Sequence, residues 1–119
     1  MTERQKTGKA GEAAVCRYVL EKGMKVLARN YRAGKGEIDL VAQDGDTLAF
    51  IEVKTRSGQT YGTAAEAVGY RKQQMIIQTA QYFIAQQDFY DRAVRFDVAE
   101  VYAGGNGCSV NYIKDAFTL

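Results

Sequence analysis

The chain predicts an α/β fold, a mixed β-sheet flanked by helices in the order α-β-β-β-α-β-β. Three observations carry this expectation. Two segments rich in helix formers place apolar residues at helical spacing, and the stretches around them alternate with the period of a strand. Asp44-Gly45 and Gly104-Gly105-Asn106-Gly107 punctuate those stretches as hairpin turns do. The 119 residues hold no repeat, linker or low-complexity tract, so a single domain over residues 1–119 is expected. A chain of this size buries about 60–70% of the surface its unfolded form exposes.

Taken in order, Thr7 to Lys22 forms the first helix, with Ala10, Ala14, Val15, Tyr18 and Val19 on its apolar side and Gly23 as its left-handed stop. Met24 to Tyr31 reads as a strand, followed by a turn at Ala33-Gly34-Lys35-Gly36 whose glycines tolerate positive φ. Glu37 to Gln43 alternates, with Ile38, Leu40 and Ala42 on one face and Glu37, Asp39 and Val41 on the other. The returning strand, Thr47 to Thr55, sets Phe50, Glu52 and Lys54 against Ile51, Val53 and Thr55. A polar loop from Arg56 to Thr60 and a short helix from Thr63 to Val68 lead into a longer helix, Arg71 to Gln87, striped by Met75, Ile76, Ala80, Tyr82, Phe83 and Ile84. Val94 to Tyr102 and Ser109 to Phe117 supply the last strands. Helices on a sheet are the packing solution for such an order.

Composition narrows the chemistry. There is no histidine, which removes every Ser-His-Asp, Cys-His and histidine-ligated metal scheme. Catalysis then rests on Asp, Glu, Lys or Tyr. Proline and tryptophan are also absent, leaving base stacking to Tyr, Phe or Arg. The net charge of +2 is too small to mark a nucleic-acid binder globally, so a phosphate-facing patch must be local. Cys16 and Cys108 form no Cys-x-x-Cys pair, and the chain shows neither a signal-peptide pattern nor a membrane-length apolar run. A reduced, cytoplasmic protein is the expectation.

Gly36-Glu37-Ile38-Asp39-Leu40 and Ile51-Glu52-Val53-Lys54 place a carboxylate and then a carboxylate-x-lysine on neighbouring strands. Carboxylate oxygens bind hard divalent cations, and a nearby ammonium can hold a water or meet charge building on a phosphate. Register decides whether the carboxylates meet. A two-residue Asp44-Gly45 loop sets Asp39 opposite Phe50 and diagonal to Glu52, and a four-residue loop sets it directly opposite Glu52. A three-residue loop without a bulge would split them between faces. Directly opposed carboxylates about 5 Å apart repel by roughly 3 kcal/mol at an effective dielectric near 20. Protonation, Lys54 or a bound cation must offset that. An exposed strand face of alternating charge fits the same spacing.

The motifs Gly8-x-x-Gly11-Glu12, Asn30-Tyr31, Gly36-Glu37-Ile38-Asp39-Leu40 and Phe50-Ile51-Glu52-Val53-Lys54-Thr55-Arg56, with Ala67 and Lys72 further on, resemble the bacterial YraN-like family over nearly the whole chain. That family is similar to the restriction-endonuclease-like superfamily, which includes archaeal Holliday-junction resolvases. The resemblance implies a restriction-endonuclease-like fold. It also implies that Asp39 and Glu52 hold Mg²⁺ (or Mn²⁺), with the Val53 carbonyl as a further ligand, and that Lys54 orients the attacking water. Glu12 would reach the site from the first helix, as a ligand or an acid/base partner; a solvated first-turn glutamate is its other reading. Glu37, two residues from Asp39, is expected to support the ligands rather than bind metal. Ile38 stands where the strict form of the motif has proline.

Lys35, Arg56, Arg71 and Lys72 are the expected phosphate contacts, although each also reads as a solvated surface charge. Gln78-x-x-x-Tyr82 echoes a helical motif of related nucleases, and Tyr61 and Tyr70 could stack on bases. The expected activity is metal-dependent phosphodiester hydrolysis on structured or branched DNA. A non-catalytic nucleic-acid-binding module with the same fold, or a partner-binding subunit, are the rival readings. Paired incisions would need a homodimer.

Overall fold

The computed structural model describes residues 3–56, 68–104 and 107–118, with side chains from Gly8 onward and up to Tyr102 in the strand that ends at Gly104. The elements are α1 (Glu3–Glu21), β1 (Lys25–Ala33), β2 (Gly36–Asp44), β3 (Thr47–Arg56), α2 (Tyr70–Gln87), β4 (Ala93–Gly104) and β5 (Gly107–Phe117). This is the expected order. The strands form one mixed sheet in the order β1-β2-β3-β4-β5, in which β3 and β4 run parallel and the other pairs antiparallel. A parallel pair needs a crossover, and α2 lies in the one joining β3 to β4. The architecture fits the restriction-endonuclease-like layout. The expected short helix from Thr63 and the loop after Arg56 fall outside the described residues, except for Val68 at their end. No described helix is long and apolar enough to cross a membrane.

Each helix seals one face of the sheet. Ala14, Val15 and Val19 of α1 pack with Leu40, Ala42, Ala49, Ile51, Ala99 and Val101. On the other face Ile76, Ile77, Ala80 and Phe83 of α2 pack with Val41, Leu48, Phe50, Phe96 and Val98. The helix α1 starts earlier than expected, because Glu3-Arg4-Gln5-Lys6 is a run of good helix formers with nothing to break it. It stops as expected. Gly23 takes φ 82°, its N–H bonds to the Leu20 carbonyl at 3.1 Å, and the Met24 N–H bonds to that of Val19 at 2.9 Å. Asp88 plays the same part after α2, with φ 57°.

The hairpin between β2 and β3 settles the register. Asp44 pairs with Thr47 and Gln43 with Leu48, leaving Gly45-Asp46 as the turn, with Gly45 at φ 61°. Pairing proceeds through Val41↔Phe50 to Leu40↔Ile51 and ends there. Beyond that rung the strands part. The outer half of β2 stays with β1, down to Ala33↔Gly36, while β3 continues beside β4 as far as Arg56↔Tyr102. The sheet therefore forks, and the first residues past the last shared rung are Asp39 and Glu52.

The fork changes one expected face. Leu40 and Ala42 lie against α1, whereas Ile38 joins Val41 in the core under α2. The break comes at Asp39 and at Asn30, which takes φ 50° between the rungs Arg29↔Leu40 and Tyr31↔Ile38. The outer hairpin leans onto α2. A Cβ on Gly36 would stand 2.0 Å from the Thr79 Oγ1, and Tyr31 donates its hydroxyl to Gln86 at 2.6 Å.

Candidate active site

The site is built at the crotch of the fork. Asp39 has lost its place in the β2–β3 ladder, and its Oδ2 instead accepts the Val53 backbone N–H at 2.9 Å. Glu52 points to the α2 face and is nearly buried, at 7% exposure. The register of the hairpin, extended by one step from Leu40↔Ile51, sets these two residues opposite each other. Their carboxyls sense each other. Burial first, and then the charge of Glu52, push the Asp39 carboxyl up to about 7, against the pull of the Val53 N–H and of Lys72.

Lys72, in the first turn of α2, brings its Nζ to 2.9 Å from the Glu52 Oε1. This bond, together with the negative field of Glu52, Asp39 and Glu37, raises the ammonium's pKa. Sequence reasoning placed Lys72 among phosphate contacts, and nothing in the local pattern connects it to a strand residue twenty positions away. Lys54, two residues beyond Glu52 on the same strand, is exposed and forms no ion pair with a described residue. Glu37 is held by Arg32 at 3.5 Å.

Glu12 comes from the opposite layer. Gly11 lets α1 approach the far limb of the fork, since a Cβ there would meet the Thr55 Oγ1 at 2.9 Å. The next residue, Glu12, accepts the Asn30 Nδ2 at 3.3 Å on the near limb. So α1 lies across the back of the fork. Asn30, part of the Asn30-Tyr31 motif, had no assigned role in the sequence. Its positive φ and its contact with Glu12 give it one at the bend.

The expected phosphate contacts divide. Lys35 and Arg71 both line a groove of about 610 Å³ between the β1–β2 turn and α2, together with Gln74, Met75, Gln78 and Tyr82. That groove holds two cations and no acid. Tyr82 is half-exposed against Gly34, and Tyr70 is exposed at the head of the helix. Tyr61 falls outside the described residues. Arg56 is committed elsewhere, with its Nε 3.1 Å from the Oε2 of Glu100, a buried acid that also accepts from Asn111.

The donor chemistry suits a hard cation. Asp39 and Glu52 offer carboxylate oxygens, and Mg²⁺ is commonly held by one or two carboxylates with water and phosphate completing its shell; the Val53 carbonyl is of the same hard-oxygen type. Among the described residues no group of three or more His, Cys, Asp or Glu side chains is arranged to hold a metal. A site here is therefore a two-carboxylate one.

A sequence profile described as "Uncharacterised protein family UPF0102" matches residues 11–101. The chain is 41% identical over 119 residues to a UPF0102 protein of Syntrophus aciditrophicus (strain SB), covering 100% of this chain and 94% of that one. It is 42% identical over 110 residues to a UPF0102 protein of Alkaliphilus metalliredigens (strain QYMF), covering 92% and 96%. With a UPF0102 protein of Symbiobacterium thermophilum the identity is 44% over 114 residues, covering 95% and 97%. Among solved structures, Pyrococcus furiosus SfsA in complex with Ca²⁺ matches with a TM-score of 0.42 and 12% identity, over 94% of this chain and 64% of that chain, less than two thirds of its length.

Proposed function

The chain belongs to the uncharacterised protein family UPF0102, and on that premise we propose that it is a divalent-metal-dependent endonuclease acting on structured or branched DNA. The observation that carries this reading is the fork, which sets Asp39 and Glu52 side by side at the point where the sheet opens. Two carboxyls side by side in a part-buried site are costly in a fold, and a cation makes them useful. When bound, Mg²⁺ or Mn²⁺ would neutralise charge developing on the scissile phosphate.

The protein's own groups do the rest. Val53 fixes the Asp39 carboxylate through its N–H, so the first ligand is held rather than free to swing. Lys54, exposed beyond Glu52, is the group to hold the attacking water and take part in its deprotonation. Glu12, behind the fork, is a positioning residue that acts through Asn30. Lys35 and Arg71 receive the sugar-phosphate chain in the groove beside α2, where Tyr82 offers a ring to an unstacked base. A homodimer would supply the second incision.

A panel of supercoiled plasmid, flap and four-way-junction DNA with Mg²⁺ or Mn²⁺ tests the assignment. Cleavage that disappears in Glu52→Gln and falls steeply in Lys54→Ala supports it; cleavage that survives both sinks it. One observation favours a second reading, a nucleic-acid-binding module without turnover. Glu52 already has a counter-ion in Lys72, so the fold does not require a metal.

A further inference from the structure

Three acids are buried in the described chain beyond ordinary surface exposure: Glu52 at 7%, Asp97 at 0% and Glu100 at 2%. Asp97 is closed into a network by the Arg95 guanidinium, the Tyr112 hydroxyl and the Asp115 N–H. Glu100 is closed by Arg56 and Asn111. Glu52 differs. Its cation is a lysine whose side chain is 54% exposed, on a flexible stem with a compact charge, rather than a fixed guanidinium fork. Beside Glu52 stands Asp39 as well, an acid that raises the demand for positive charge.

The position of Lys72 points the same way. It stands with Arg71 in the first turn of α2, a turn with no acidic residue. The helix dipole disfavours cations there, so Lys72 is held by Glu52 against its own helix. Glu37 adds to the field that holds it. Removing the ammonium leaves the acids facing each other; replacing it with a stronger cation does not.

We propose that Lys72 is a displaceable counter-ion, which neutralises Glu52 while the fork is empty of metal and is released when a divalent cation binds between Asp39 and Glu52. The inference rests on the metal reading of this site. It gives Lys72 a place in the metal-loading step and makes the free chain a weaker metal binder than its acids alone would be. The displaced ammonium is left beside Arg71, at the head of the helix that lines the groove.

Calorimetric titration of Mn²⁺ into the full chain, without nucleic acid, tests this. Lys72→Gln is expected to bind Mn²⁺ about fivefold more tightly than the parent, the fold-change that corresponds to an ion pair of roughly 1 kcal/mol. Lys72→Arg, which keeps the charge, should stay near the parent, and Arg71→Gln, which removes a neighbouring charge that does not touch Glu52, should also stay near it. An unchanged or weaker affinity in Lys72→Gln overturns the proposal. So does an equal gain in Arg71→Gln, which would make the effect one of general field. Failure of both the parent and Lys72→Gln to bind Mn²⁺ would instead remove the metal site on which the endonuclease reading depends. Lys72 is half-exposed, so loss of fold does not confuse the result, and circular dichroism of each variant checks it.

Discussion

Val53 donates its backbone N–H to the Asp39 carboxylate at 2.9 Å, so a side chain from one strand takes the place of a rung at the point where that strand leaves its neighbour. This tie sets the geometry of the acid pair and makes its protonation a matter for the fold as well as for chemistry.

The Asp39 carboxyl holds its proton up to about 7 in the folded chain, against an ordinary value of 3.8. Between those values the folded chain binds more protons than the unfolded one, so this group's contribution to stability falls as pH rises through that window, and its cost is complete above it. Asp39→Asn removes the cost while leaving an oxygen for the Val53 N–H. Its melting temperature should exceed the parent's at pH 8 and converge with it below pH 4, as read by thermal denaturation across pH. A constant offset at all pH values would contradict the assignment.

Mn²⁺ should reverse that order. A ligand that binds only the folded form stabilises it by about 2.7 kcal/mol at a hundredfold excess over its dissociation constant. The parent's melting temperature should climb with Mn²⁺ at pH 8 while Asp39→Asn and Glu52→Gln stay flat.

Glu12→Gln should lower cleavage less than Glu52→Gln does. In the proposed mechanism the latter removes a charge that would meet the metal, an effect expected to reach about 10²-fold or more, whereas Glu12 would act through Asn30, which it contacts. Asn30→Ala should then match Glu12→Gln in initial rate, and the double variant should lose no more than either alone.

Gly36→Ala should destabilise the chain by about 1–3 kcal/mol, because its new methyl would occupy the space of the Thr79 Oγ1. Adding Thr79→Ala makes room, and urea denaturation should show part of the loss restored.

Arg95→Met should cost about 3–5 kcal/mol, since it strands the fully buried Asp97 and releases Asp44 at 2.8 Å. Arg95 also holds the Asp44 carboxyl below the ordinary range, so that part of its contribution is present above 3.8 and is lost as pH falls through the lowered value. Cleavage by the folded fraction should be unaffected.

Strand alternation was enough to put Glu52 and Lys54 on one face of their strand, because side-chain direction along a strand is a local property, but whether Asp39 shares that face hung on the register of the hairpin. The turn register was not local in that sense. Asp44-Gly45 carried the hairpin signal, yet the chain turns one residue later, on Gly45-Asp46, and only the pairing of whole strands decides between them. Gly36 read as a turn glycine on account of φ. Its φ is not positive, and what demands glycine is the approach of Thr79 from a helix some forty residues away. The pairing of Lys72 with Glu52 and the move of Ile38 to the α2 face are equally products of tertiary packing. No periodicity encodes a fork.

That fork divides labour along the chain. Past Asp39 the outer hairpin owes its position to α2, through Gly36 against Thr79 and Tyr31 against Gln86, and not to β3. Its tip can thus lengthen, shorten or change charge over evolution, or under an engineer's hand, without shifting the acids at its base. Under the proposed function, target preference and reaction chemistry would be separately inheritable parts of one small sheet.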